Sequence, residues 1–186
     1  PLLTADVASR AEVYGGRGLT FDGTSDYLDC GNQESTWKNV SALSITAWIY
    51  IDAHKSSNGL IGKHHIDNES TGIMTTASSF KFYISNGGEN RGNCTPPSAG
   101  AWHHIACVFN GGGTGNDGRM QIYFNGSLQS LSFTGTIPTT TSNDSTYETK
   151  SVTIGDYQSG NKFNGNISDF KVYSSALTEA EVQSQY

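Results

Sequence analysis

The chain has 186 residues, with 22 glycines against 4 prolines, 15% charged and 35% hydrophobic residues, and a net charge of −6. That length holds one domain with a core of its own, and a composition rich in Gly, Ser, Thr and Asn excludes a helical bundle, which draws on Ala, Leu, Glu and Lys. The 11 scattered Lys and Arg of an acidic chain exclude a nucleic-acid surface, and no apolar run approaches the ~18 residues of a membrane span.

Short segments of β-type composition follow one another, each bounded by Gly, Asn, Asp or Ser. In chain order they are "GLTFDG" from Gly18, "DYLDCG" from Asp26, "LSITAWIYI" from Leu43, "GLIGKH" from Gly59, "FKFYISNGG" from Phe80, "WHHIACVFNGGG" from Trp102, "MQIYFNGSL" from Met120, "VTIGDY" from Val152 and "ISDFKVY" from Ile167. This spacing, with no helical period between segments, predicts an all-β, two-sheet antiparallel sandwich or jelly roll. In "LSITAWIYI" Leu43, Ile45, Ala47 and Ile49 alternate with Ser44, Thr46, Trp48 and Tyr50. Such a strand turns one face to the core and the other to a groove or a covering loop. Asn125-Gly126 between two β runs predicts a tight hairpin. The Thr-rich stretch Leu131 to Lys150 reads as a long surface loop with at most an edge strand. One helix is predicted, over "TEAEVQSQ", where Thr178 caps and Glu181 completes a capping box.

Cys30, Cys94 and Cys107 allow at most one disulfide, and no CxxC spacing points to a thiolate metal site. Asn39, Asn68, Asn93, Asn125, Asn143 and Asn166 each begin an N-x-S/T triplet, which suits a secreted glycoprotein but also arises by chance in so Asn-, Ser- and Thr-rich a chain. The first residue, Pro1, reads as the start of a processed or excised piece.

From Gly15 onward these segments, in this order, resemble the laminin-G-like jelly-roll family within the concanavalin A-like lectin and glucanase fold. Residues 1–14 then read as a lead-in or linker and 15–186 as the domain, closed by the short C-terminal helix. The resemblance implies two sheets packed face to face, rim loops and a concave face that often bind glycans, and frequently one calcium ion. It also implies that the first "FDG" strand and the last "DF.VY" strand lie close, bringing Asp22 and Asp169 together. Two carboxylates at short range call for a proton or a cation between them, and an oxygen-only set suits calcium. Asp169 has a second reading, as a partner of turn amides or of Lys171 or Arg17, and Asp26 and Asp29 are further calcium candidates that also fit Asx turns.

Sugar binding needs aromatic faces and fixed polar groups. Tyr157, Gln158 and Asn161 in "GDYQSGNKF", Asn86, Asn90 and Arg91 in "SNGGENRGN", His64, and Tyr83 and Tyr123 on strands supply them, while Trp48 and Trp102 read as core. Hydrolases of this fold place acids as E-x-D-x-x-E, and related lyases need Gln-x-His; neither pattern occurs, "QIY" at Gln121 lacking the histidine. The adjacent His64–His65 and His103–His104 pairs point to opposite strand faces and chelate no single ion. The sequence therefore predicts a non-catalytic, extracellular or surface-displayed glycan- or polysaccharide-binding domain, braced by calcium and possessing neither a nucleic-acid partner nor a membrane insertion. Its rival is a structural or adhesion domain of a virion or larger surface protein.

Overall fold

The computed structural model describes residues 12–14, 18–66, 69–157 and 160–186. The first sheet runs in the order β1 (Glu12–Tyr14), β2 (Gly18–Asp22), β14 (Asn164–Tyr173), β4 (Ala42–Ile51), β9 (Trp102–Asn110), β10 (Met120–Phe124) and β11 (Ser127–Leu128). The second runs β12 (Ser132–Thr134), β8 (Arg91–Cys94), β7 (Phe80–Asn86), β6 (Glu69–Thr75), β5 (Asn58–Ile66), β13 (Val152–Ile154) and β3 (Leu28–Asp29). Neighbouring strands pair antiparallel throughout, as expected for a jelly-roll sandwich. Residues 12–14, at the end of the expected lead-in, pair with β2.

Alternation sets the layers. Leu43, Ile45, Ala47, Ile49 and Ile51 of β4 turn inward and meet Ile61, Ile73, Phe80, Phe82 and Ile84 of the second sheet. Each such Leu, Ile or Phe side chain contributes roughly 1.5–3 kcal/mol by leaving water. The Asn125-Gly126 hairpin forms as expected: both residues have positive φ, 51° and 75°, and Phe124 pairs with Ser127. The glycine-rich stretch after Asn110 is the β9–β10 connection, with one helical turn, α2 (Gly115–Arg119).

The helix α4 (Glu179–Gln185) has the expected capping box, Thr178 N–H donating to Glu181 Oε2 at 2.8 Å and Glu181 N–H to Thr178 Oγ1 at 3.3 Å. Through Val182, and with Leu177 ahead of it, it covers Ala106, Val108 and Tyr123 on the outer face of the first sheet. Two further short helices, α1 (Glu34–Trp37) and α3 (Ser145–Glu148), close the rim of the sandwich.

Two expectations are corrected, and the question of a disulfide is answered. The stretch 131–150 supplies the expected edge strand, β12, but is more than a surface loop, because Ile137, Thr141, Ser142 and Tyr147 are fully buried. Trp48 and Trp102 lie outside the core, on the outer face of the first sheet. Register places them beside His104 and Tyr50 there, and Trp102 is 44% exposed. The three cysteines are free thiols, Cys107 in the core and the other two half-buried.

Candidate ligand-binding site

The outer face of the second sheet carries a register row that crosses six strands: Asp29, Thr153, Gly62, Gly72, Tyr83 and Arg91. Two adjacent glycines leave a trough, and the segment after β13 lies in it. The Tyr157 ring rests on the trough, so that a Cβ on Gly62 would stand 2.2 Å from its Cδ2 and one on Gly72 2.7 Å from its Cε2. It stacks on Tyr83, centroids 5.3 Å apart and planes at 28°, and meets the His64 ring edge-on at 5.3 Å. The Arg91 guanidinium continues the line over Tyr83 at 5.5 Å.

Beside this aromatic line a cleft of about 290 Å³ opens toward the β3 edge. Gly62 and His64 of β5 and Thr153 of β13 line it, with Lys150 and Ser151 ahead of β13, Tyr27 and Asp29 at β3, and Asp156 and Lys162 from the covering segment. Asp156 fastens that segment: its two oxygens accept from Gly160 N–H at 3.2 Å and from the Lys162 ammonium at 2.8 Å. Lys162 also lies over the Tyr27 ring, 3.7 Å from its centroid. Thr153 Oγ1 donates to Asp156 O at 3.0 Å.

Behind the cleft, on the inward side of β5, Lys63 is fully buried. Its ammonium donates to Asn32 O (2.5 Å), Asn32 Oδ1 (2.7 Å) and Lys150 O (2.7 Å), with the Tyr147 ring 5.1 Å away. Three oxygens around a buried cation are what such a charge requires, and they tie the Lys150–Ser151 wall to the sheet. Burial pulls the Lys63 ammonium down to about 8, outweighing the upward pull of Glu34.

With Asp156 and Lys162 paired, the cleft offers a ligand the Asp29 carboxylate, the Lys150 ammonium, the His64 ring and the Ser151 and Thr153 hydroxyls. Asp29 Oδ1 accepts from Gly31 N–H at 2.8 Å, which aims the carboxylate. Mixed donors and acceptors around a small cleft suit a polyhydroxylated ligand.

One sequence model covers residues 22–183, that of the Laminin_G_3 family in the concanavalin A-like lectin/glucanases superfamily. The chain belongs to this family. Among curated proteins none matches it in sequence. Solved structures share the fold at low identity. The Ruminococcus gnavus IT-sialidase CBM40 bound to α2,3-sialyllactose superposes with a TM-score of 0.69 at 14% identity, over 91% of this chain and 96% of that one. The heptameric SAP-like pentraxin of Limulus polyphemus gives 0.54 at 19% identity, over 88% and 78%. The NanB sialidase of Streptococcus pneumoniae gives 0.67 at 13%, over 90% of this chain and 27% of that one. This Laminin_G_3 chain thus spans about a quarter of the NanB chain it matches.

The expected site residues divide. His64 lines the cleft, and Tyr157 packs against it but is itself fully buried, so it builds the site rather than offering a free face. Gln158 lies outside the described residues, as do Arg17 and Asn68. Asn161 acts through its backbone, its carbonyl accepting from Gly59 N–H at 2.7 Å. Asn90 is a turn residue, with Nδ2 donating to Gly88 O at 2.8 Å, and Arg91 pairs with Glu89 and donates from Nε to Asn93 at 3.0 Å. Asn86 donates to Thr141 O at 3.3 Å, and Tyr123 lies under α4.

Asp22 and Asp169 do not meet. Register sets Asp22 opposite Asn164, and Asp169 lies five positions further along β14, ~16 Å away by strand rise. Asp22 Oδ1 accepts from the amides of Thr24, Ser25 and Asp26 and Oδ2 from the Ser25 hydroxyl, while Asp26 Oδ2 accepts from Asp22 N–H. Desolvation pushes the Asp22 carboxyl upward, but the Ser25, Thr24 and Asp26 donors outweigh it and hold the group well below the usual carboxylate range. Asp169 has φ +48° at a bulge between Ser168 and Lys171 and pairs with Lys171 at 2.7 Å. An aspartate is tolerated in this strand because the strand is interrupted there and Asp adopts the left-handed conformation more readily than most residues. The two carboxylates, one filled by its own turn and one by a lysine, do not fit a shared calcium ion. Among the described residues no three His, Cys, Asp or Glu side chains group as a metal site.

Missed in the sequence were Tyr27, Lys150, Ser151, Thr153, Asp156 and Lys162. Strand β6, with Gly72, was also missed. The signal for Thr153 was present in the alternation of "VTI", with Val152 and Ile154 inward and Thr153 outward.

Proposed function

We propose that this domain is a non-catalytic carbohydrate-recognition module of an extracellular or surface-displayed protein, and that the glycan is held in the cleft on the outer face of the second sheet. The observation that carries this reading is the cleft itself: Asp29, Lys150, Ser151, Thr153 and His64 converge beside a rigid aromatic line. Asp29 accepts from sugar hydroxyls, Lys150 and His64 donate, Ser151 does either, and Thr153, whose proton goes to the Asp156 carbonyl, accepts. The fold shared with a module bound to α2,3-sialyllactose supports the same class of ligand and puts sialylated glycans first among the probes. Lys150 supplies the cation that a sugar carboxylate would need.

Asp156, whose oxygens are both engaged, acts as a fastener of the covering segment and not as an acid for bond cleavage. Calcium support is a separate proposal that the Asp22–Asp169 pair does not sustain, so any ion would take other donors.

The test is binding to a panel of sialylated and neutral glycans by wild type and His64→Ala, each with calcium and with a chelator. Saturable binding reduced by His64→Ala supports the reading. Absence of binding across the panel sinks it and leaves the structural or adhesion role.

A further inference from the structure

The outer face of the first sheet is covered by α4 over only part of its width. Beyond the helix, register aligns Thr20, Asn166, Tyr50 and Trp102 across β2, β14, β4 and β9. The Trp102 indole does not stand up from the sheet. Its far edge, Cη2, reaches to 3.6 Å from where a Cβ on Gly18 would stand, with two strands lying between. A ring that spans strands in this way lies along the surface and turns one face outward, and at 44% exposure that face meets solvent. Tyr50, its register partner, lies against it, ring centroids 5.8 Å apart and planes at 59°. In line with both, Thr20 Oγ1 donates to Asn166 Oδ1 at 2.7 Å, which fixes the amide and leaves its N–H₂ to point elsewhere.

We propose that this surface is a second carbohydrate site, separate from the cleft, in which one pyranose ring of a neutral glycan stacks on Trp102 and a hydroxyl accepts from Asn166. The apolar face of a sugar ring matches an outward indole face, and a fixed amide at its edge gives orientation. The row of Thr20, Asn166, Tyr50 and Trp102 carries no charge although the chain as a whole has a net charge of −6. That neutrality along the row suits an uncharged ligand, and Asp169 and Lys171, further along β14, are paired with each other. The Trp102 edge packs over the Gly18 end of β2, where a Cβ would stand in ordinary van der Waals contact with it. The two sites lie on opposite faces of the sandwich, so one domain could cross-link two chains or hold one long chain at two points.

The experiment is titration of cellohexaose, xylohexaose and mannohexaose into wild type, Trp102→Ala, Trp102→Phe, Asn166→Ala and the cleft variant His64→Ala. The expected result is that at least one hexasaccharide binds wild type and His64→Ala alike, that Trp102→Ala weakens it at least tenfold, and that Trp102→Phe falls between. Binding that Trp102→Ala leaves unchanged overturns the proposal, as does failure of all three sugars to bind. Binding lost only in His64→Ala also overturns it, by assigning neutral sugars to the cleft. Self-association lost in Trp102→Ala, with sugar binding intact, overturns it as well and makes the face a contact between copies. Trp102 is exposed, so its variants should fold; Asn166→Ala tests the same site if they do not.

Discussion

Tyr157 lies flat against Tyr83, 5.3 Å between centroids, with Gly62 and Gly72 beneath it. The stack anchors the covering segment that supplies Asp156 and Lys162 to the cleft. Replacing Tyr157 by Ala should cost about 3–5 kcal/mol, the range for a large buried aromatic, and weaken glycan binding through loss of the support behind His64. Gly62→Ala should do comparable damage, because its methyl would need the space of the ring. Denaturant midpoints and binding isotherms on both variants check this; a Gly62→Ala protein as stable as wild type would show that the segment does not depend on the trough.

Lys63 gives a pH dependence of definite sign. Burial lowers its ammonium to about 8 in the folded state, whereas in the unfolded chain it titrates near 10.4. Below pH 8 both states keep the proton and the contribution is constant. Between the two values the unfolded state binds more protons, so stability rises with pH, by about 1–2 kcal/mol from pH 8 to 9.5. Lys63→Met should abolish this rise. It should also lower stability at neutral pH, since Asn32 and Lys150 lose their donor. Urea titrations at pH 7.5 and 9.5 on both proteins measure the difference.

Asp22 behaves in the opposite sense. Its folded carboxyl lies below its unfolded value, so its contribution is present above about pH 4 and is lost as pH falls below that. Asp22→Ala should lose about 1 kcal/mol at pH 7, the worth of the net hydrogen bonds removed, and the gap from wild type should close in acid. A gap that does not narrow between pH 7 and pH 2.5 would contradict the turn assignment.

The Asp169 bulge predicts that Asp169→Gly is tolerated without loss and that Asp169→Val is destabilising, because only the β-branched residue resists a φ of +48°. Thermal melts decide it. Adding calcium should shift wild type, Asp22→Ala and Asp169→Gly equally, since these carboxylates do not form one ion site. A shift lost in both variants would restore the pairing inferred from sequence.

Particular residues mark how far the sequence could be read. The alternation in "LSITAWIYI", the Asn125-Gly126 turn and the Thr178–Glu181 box each gave a local rule that tertiary structure obeyed, and the ordered segments gave the family. The Asp22–Asp169 pairing failed because proximity of two strands does not specify register, and the bulge at Asp169 changes it again. The two tryptophans failed because alternation separates the faces of a strand without saying which face is covered. His64 was legible as a candidate, although it lies within β5 and not after a strand. Lys150, Thr153, Asp156 and Lys162 were not, because their convergence depends on three glycines, Gly59, Gly62 and Gly72, clearing room for a segment nearly a hundred residues away.

The central claim is that a glycan occupies the cleft beside His64, and amide chemical-shift mapping during titration with α2,3-sialyllactose tests it most directly, with the neutral hexasaccharides as further titrants. Shifts gathered at Asp29, Gly62, His64, Ser151 and Thr153, saturating together, are the predicted result. Saturable shifts for the sialylated sugar confined to the first sheet, or none for any sugar, would contradict it.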